Sequence, residues 1–254
     1  MRAAFFDLDK TVIAKSSLVA FGPEFHARGL LHRRTVLWGV LSQTMFMRFG
    51  ADEEKLEKIR ESVLQITKGW DHLEVKNLVA ETINDVVEPL IYEEALELID
   101  HHLAQGDEVW LVSASPAEIV EPFAELLGIT GAIASRANID EHGKFTGEMK
   151  FFAQGENKAI AIRELAQKRD IDLNESFAYS DSETDIPMLE AVGHAYAVNA
   201  DRHLARAAHE NQWPILNFKH PVRAHDRSRS NIPYLLSAIV IGVAAVLGRT
   251  YQRR

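Results

Sequence analysis

The sequence predicts an α/β protein, a doubly wound parallel sheet with a helical insertion after its first strand. Three observations predict it. Residues 3–6 are an unbroken apolar run, Ala-Ala-Phe-Phe, that ends on Asp7-Leu8-Asp9, as expected of a fully buried strand whose carboxyl end opens onto a site. Residues 16–87 show helical periodicity throughout, with apolar positions three and four apart (Leu56, Ile59, Val63, Ile66; Leu78, Ile83, Val86). Beyond Pro89, helical and strand-like segments alternate, the pattern of parallel strands joined by crossover helices.

Taken in order, the alternation reads as a helix over 92–104, a strand over 108–112, a helix over 118–127 and a strand over 133–139. A helix over 157–168, a strand over 177–179, a helix near 187–191 and a strand over 195–198 complete it. The expected α/β core is therefore residues 1–15 and 88–218. Residues 16–87 form a helical cap with breaks at Gly29, Gly50 and Lys68-Gly69. Residues 219–230 are polar and contain proline, and read as a linker.

The 254 residues are 46% hydrophobic and 26% charged, enough chain for a sizeable core and unlike a disordered or fibrous sequence. Cysteine is absent, which excludes disulfides, thiolate zinc sites, iron–sulfur clusters and a cysteine nucleophile. Any metal must be held by oxygen or imidazole. From Lys219 onward there are seven cations and one anion, a net of +6, so that residues 1–218 carry −15 of the total −9. So acidic a body argues against nucleic acid as a partner.

No charge falls between Asn231 and Gly248, 18 residues or roughly 27 Å of helix at ~1.5 Å per residue. Arginines lie on both sides. Residues 231–248 are expected to be a transmembrane anchor, although that length is short for a hydrocarbon core of ~30 Å. The first ten residues offer only a four-residue apolar run, too short for a signal peptide, so the expected arrangement is a single pass in the cell membrane with the catalytic body cytoplasmic.

In an open α/β sheet the ligand site lies beyond the carboxyl ends of the strands. Asp7, Asp9 and Thr11 follow the first expected strand, Ser113 and Ser115 close the second, and Ser180, Asp181 and Asp185 follow the strand at 177–179. Lys158 opens a helix behind Gly155. Four acids on one edge would repel one another unless a cation sat among them, which points to a Mg²⁺-type site. Carboxylates joined by a lysine describe a phosphate site. The histidines show no HExxH or comparable ligand spacing, and His101-His102, His194, His203 and His209 read as surface or helix residues.

Asp7-Leu8-Asp9-Lys10-Thr11, Val112-Ser113-Ala114, Lys158 and Ser180-Asp181-Ser182-Glu183-Thr184-Asp185 resemble, in order, the four motifs of the haloacid dehalogenase superfamily. The insertion between the first two motifs is similar to the C1 cap of its phosphoserine-phosphatase-like subfamily IB. The resemblance covers residues 3–200. It implies a Mg²⁺-dependent phosphatase of a small phosphomonoester, with Asp7 the nucleophile that becomes an aspartyl-phosphate and Asp9 the acid/base. Thr11 and Ser113 would bind phosphoryl oxygens, and Lys158 would neutralise their charge. The Asp7 side chain, the Asp9 carbonyl and Asp181 would hold Mg²⁺, supported by Asp185.

Three positions depart from the phosphoserine phosphatases. Those enzymes place an ammonium-reading glutamate where Ser16 stands, usually continue their second motif as Ser-Gly-Gly where this chain has Ser113-Ala114-Ser115, and have asparagine in place of Thr184. The chemistry looks intact and amino-acid recognition absent. A phosphotransferase using the same intermediate is one alternative, and a membrane-tethered interaction protein on this scaffold is another. A receiver-type signalling domain also uses acids and a lysine, but the cap argues against it.

Overall fold

A computed structural model of the chain describes residues 1–31, 61 and 64–221, all within one compact unit, Met1–Ala224. Its centre is a seven-stranded sheet in the order β4-β3-β2-β1-β5-β6-β7. The strands are β1 (Ala3–Phe6), β2 (Glu108–Pro116), β3 (Gly131–Ile139), β4 (Phe145–Phe151), β5 (Phe177–Ser180), β6 (His194–Val198) and β7 (Ile215–Leu216). Among the described residues they are accompanied by the helices α1 (Ser17–Ala27), α2 (His72–Val87), α3 (Glu93–Ala104), α4 (Ala117–Leu126), α5 (Glu156–Arg169), α6 (Ile186–Glu190) and α7 (Arg202–Glu210).

β1 is apolar at every position because both its faces are covered. Successive strand side chains point to opposite faces. Phe6 accordingly joins a cluster with residues of α1 to α4, such as Phe21, Leu78, Ile99 and Phe123. Phe5 joins the opposite cluster with Ile162 of α5, Met188 of α6 and Leu204 of α7. That is the doubly wound arrangement. On the first face Phe6, Tyr179 and Tyr196 stand in register on β1, β5 and β6 and stack at centroid separations of 4.4 and 4.9 Å. Such cross-strand pairs stabilise the sheet centre.

One parallel expectation needs correcting. Every pairing is parallel except β3 with β4, which is antiparallel. β4 escaped the sequence reading because it lies at an edge and half its positions are polar (Thr146, Glu148, Lys150). α7 and β7 also escaped it, α7 because only Leu204 and Ala208 along it are buried. His102 is a helix residue, as expected, but is not at the surface. It is buried in α3, with Nδ1 2.9 Å from Asp107 and Nε2 2.8 Å from the Tyr179 hydroxyl. Burial pushes its pKa down. A neutral ring so placed can donate from Nδ1 to Asp107 and accept at Nε2 from Tyr179.

Of residues 16–87, α1 and α2 are described and residues 32–60 lie outside the described residues. Asp71 caps α2 by accepting from the N–H groups of Leu73 and Glu74, and the apolar face Val75, Leu78, Val79 and Ile83 enters the same cluster as Phe6. At the other end, Glu94 at the start of α3 accepts from the backbone N–H groups of Lys219 and His220. The expected linker is described only as far as Pro221, and the expected hydrophobic helix at 231–248 lies outside the described residues. Among the described residues no helix is long and apolar enough to cross a membrane.

Candidate active site

The sheet reverses its direction of strand addition at β1, with β2 and β3 laid on one side and β5 and β6 on the other. Open α/β sheets bind ligands beyond the strand ends at such a switch point. Asp7 follows β1 directly, and its backbone N–H donates to the Tyr179 carbonyl of β5 at 2.9 Å. Leu8 turns into the core, and Lys10 takes a φ of 65°, left-handed backbone that a non-glycine residue adopts only where its surroundings hold it there. The turn brings Thr11 back into the interior, fully buried.

Lys158 arrives from the first turn of α5, behind Gly155, whose φ of 57° suits glycine. Its ammonium donates to Asp7 Oδ1 and to Asp185 Oδ2, both at 2.7 Å, and the residue is 2% exposed. Ser180, the last residue of β5, donates to the same Asp185 oxygen at 2.6 Å. Burial alone would push the lysine pKa down, but Asp185 and Asp7 reverse this and raise it. For Asp7 burial wins: its carboxyl is held well above the usual range, with Lys158 pulling it down and Asp185 and Asp181 pushing it further up. Asp181 is pushed up to about 7, chiefly by burial, with Lys10 Nζ 3.9 Å away opposing the rise.

Asp9 stands in a second, adjoining network. The Ser17 backbone N–H donates to its Oδ1 at 2.9 Å and the Ser115 hydroxyl donates to its Oδ2 at 3.3 Å. The two serine hydroxyls are 2.8 Å apart. Burial raises the Asp9 pKa, and the bonds from Ser17 and Ser115 oppose it. Ser113, buried in β2 where the pairing with β3 shifts register, accepts the Ser115 N–H at 3.1 Å.

Asp7, Lys158 and Asp185 are thus joined directly. Asp9 is linked to Ser113 through Ser115, and Asp181 is paired with Lys10. Thr11 bonds to none of them: among the described residues, its Oγ1 and Asp185 Oδ1 are the buried side-chain polar atoms without a hydrogen-bond partner. Sequence reasoning placed Ser115 and Ser180 at the site's edge but gave them and Lys10 no role, and it did not reach Ser17. Ser115 and Ser180 sit at strand ends, so the rule that found Ser113 and Asp181 reaches them as well. Ser17 belongs to the insertion, and no spacing within the sequence ties it to Asp9.

The residues fit a hard cation in one respect and fall short of a cage in another. Among the described residues no group of three or more Asp, Glu, His or Cys side chains is set to hold a metal. A Mg²⁺ site needs only one or two carboxylates, with water and substrate oxygens completing the octahedron. Asp7 and Asp181 are the carboxylates that could meet this need, both disfavoured as anions by burial. The orphaned Asp185 oxygen is an acceptor that a metal-bound water would satisfy. Asp9, whose carboxylate faces the serines, has only its backbone carbonyl to offer.

The fold and its charged edge describe an α/β protein with a candidate phosphate site, and comparison with known proteins gives its family. The model of the haloacid dehalogenase-like hydrolases matches residues 4–190, and the chain belongs to that family. A Mycobacterium tuberculosis protein named a "probable phosphatase" is 49% identical over 96% of this chain and 83% of its own length. Another from that organism, named a phosphoserine phosphatase, is 35% identical over 95% and 77%. A solved phosphoserine phosphatase described as a phospho-aspartyl intermediate analogue shares the fold, with a TM-score of 0.60 and 21% identity over 87% of this chain and 95% of that one.

Lys158→Met leaves two carboxylates buried beside no cation, which costs about 3–5 kcal/mol for a buried pair broken on one side. We expect a loss of that order in urea unfolding at pH 7.5. Since Asp7 binds its proton more tightly folded than unfolded, the variant regains stability as pH falls, and the deficit shrinks by pH 5. A deficit unchanged between those pH values contradicts this electrostatic account.

Proposed function

We propose that the chain is a Mg²⁺-dependent phosphatase that hydrolyses a small phosphomonoester through an aspartyl-phosphate on Asp7. The observation that carries this is the buried Lys158 ammonium held between Asp7 and Asp185 at the sheet's switch point. Lys158 opposes the effect of burial on Asp7 and lends positive charge to the phosphoryl group. An Asp7 oxygen attacks phosphorus and the bond to the leaving oxygen breaks, with the Asp9 proton passing to that oxygen. Water then attacks the mixed anhydride, Asp9 takes its proton, and phosphate departs as the Asp7 carboxylate is restored. The Thr11 hydroxyl, buried and unpartnered, is free to donate to a phosphoryl oxygen, and Ser113 would bind another in this reading. Bound Mg²⁺, held by Asp7, the Asp9 carbonyl and Asp181 with Asp185 in support, would neutralise phosphate charge during transfer.

For the substrate, a relative's name points to phosphoserine, whereas Ser16 here supplies no carboxylate for its ammonium. We therefore assign a phosphomonoester without an amino-acid head. In assays of the full chain, Asp7→Asn should abolish turnover and Asp9→Asn should cost at least ~10²-fold. EDTA should remove activity and Mg²⁺, rather than Ca²⁺ with its longer bonds, should restore it. An aryl phosphate should be preferred to phosphoserine. Turnover of Asp7→Asn at the wild-type rate contradicts the mechanism, and a phosphoserine preference contradicts the substrate assignment.

We also propose that residues 231–248 anchor the protein in the cell membrane with the acidic body cytoplasmic. The support is the 18-residue uncharged stretch bounded by arginines. Full-length protein should pellet with membranes through high salt and carbonate, and a chain ending at Lys219 should not. Equal release of both overturns the anchor.

A further inference from the structure

The two serines around Asp9 are not explained by phosphate binding or metal holding. Both are fully or nearly fully buried, at 0% exposure for Ser17 and 4% for Ser115, and they come from different parts of the fold. Ser17 lies in the first turn of α1, Ser115 near the end of β2. Each reaches a different oxygen of the same carboxylate. A hydroxyl has one proton to give. Either hydroxyl can be the donor in the 2.8 Å bond between them, and the hydroxyls of Ser17 and Ser16 also bear on the Asp9 carboxyl beside that of Ser115.

A backbone N–H can only donate, which fixes Asp9 Oδ1 as an acceptor. The proton that Asp9 gives to a leaving oxygen then belongs on Oδ2, whose remaining lone pair still accepts from the Ser115 hydroxyl. A carboxyl group tied at one oxygen alone could swing about its terminal torsion, which is broad and soft. Tied at both, it presents one edge. Ser115 stands where the resembled family usually has glycine, so its hydroxyl belongs to this chain's own version of the site.

We infer that Ser17 and Ser115 are positioning residues that hold the Asp9 carboxyl in the orientation for proton transfer between Oδ2 and the leaving oxygen. The inference rests on the phosphatase reading above. Their effect falls on the one step in which the leaving oxygen needs a proton. Aryl oxides leave with little protonation and alkoxides do not, so loss of orientation penalises alkyl phosphates more. The quantity to read is kcat/KM, which reports only passage from free enzyme to phosphoenzyme. The later hydrolysis of the common intermediate does not enter it.

The test measures kcat/KM for p-nitrophenyl phosphate and for glycerol phosphate with Mg²⁺, using full-length wild type, Ser115→Ala, Ser17→Ala and Asp9→Asn at equal folded concentration by thermal melt. Ser115→Ala should lower both values, with the alkyl substrate falling at least about tenfold further, in the direction set by Asp9→Asn. Ser17→Ala, which keeps its backbone bond to Oδ1, should show the same imbalance to a smaller degree and serves where Ser115→Ala folds poorly. Equal falls on both substrates in the serine variants, beside an imbalance in Asp9→Asn, overturn the inference and leave the phosphatase reading standing. A wild type inactive on both substrates overturns that reading and this inference with it.

Discussion

The active edge depends on one ammonium group. Lys158 ties the residue after β1 to the N-cap residue of α6, and it does so from a third element, α5. A single charge between two carboxylates in a dry site is poorly justified by stability alone, since buried ion pairs roughly break even against apolar side chains of similar size. What it does is hold Asp7 in one place and oppose the rise in its pKa that burial causes. Even so the site stays short of positive charge: Asp7, Asp181 and Asp185 face one buried lysine and the half-exposed Lys10. An acidic excess enclosed by burial is one that a bound cation would offset.

Beside this lies a neutral hydrogen-bonding network with a different task. The ammonium cluster acts on Asp7 by charge, whereas Ser17 and Ser115 act on Asp9 by direction. The two carboxyl groups are two residues apart in sequence, yet one is surrounded by ions and the other by hydroxyls and an amide. Separate surroundings for neighbouring carboxyls are how a site assigns nucleophile and acid/base to chemically identical groups. The polar chain from Asp107 through His102 to Tyr179 is a third network, remote from the edge, and it touches the site only where the Tyr179 carbonyl receives the Asp7 N–H.

How much of this was legible in the sequence depended on whether the signal was local. β1 was legible because burial on both faces demands apolar residues at every position, and Asp7, Asp9, Ser113, Lys158, Asp181 and Asp185 because strand ends and helix starts in an α/β sheet converge. β4 was not, because an edge strand with one solvated face carries alternation too weak to separate from a loop. α7 failed for a similar reason, its small apolar face being only Leu204 and Ala208. Ser17 was illegible in a stronger sense. Its partners Asp9 and Ser115 are 8 and 98 residues away, and nothing short of the folded chain brings the three together.

The central claim is that the Lys158-held carboxylate of Asp7 carries the phosphoryl group. The most direct measurement is acid quenching of the full-length protein during turnover of an aryl phosphate with Mg²⁺, followed by digestion and mass-spectrometric mapping of covalent phosphate. The account predicts phosphate on the side chain of Asp7. Phosphate mapped to any other residue, or rapid turnover with no covalent phosphate trapped at Asp7 even when Asp9→Asn slows its removal, would contradict it.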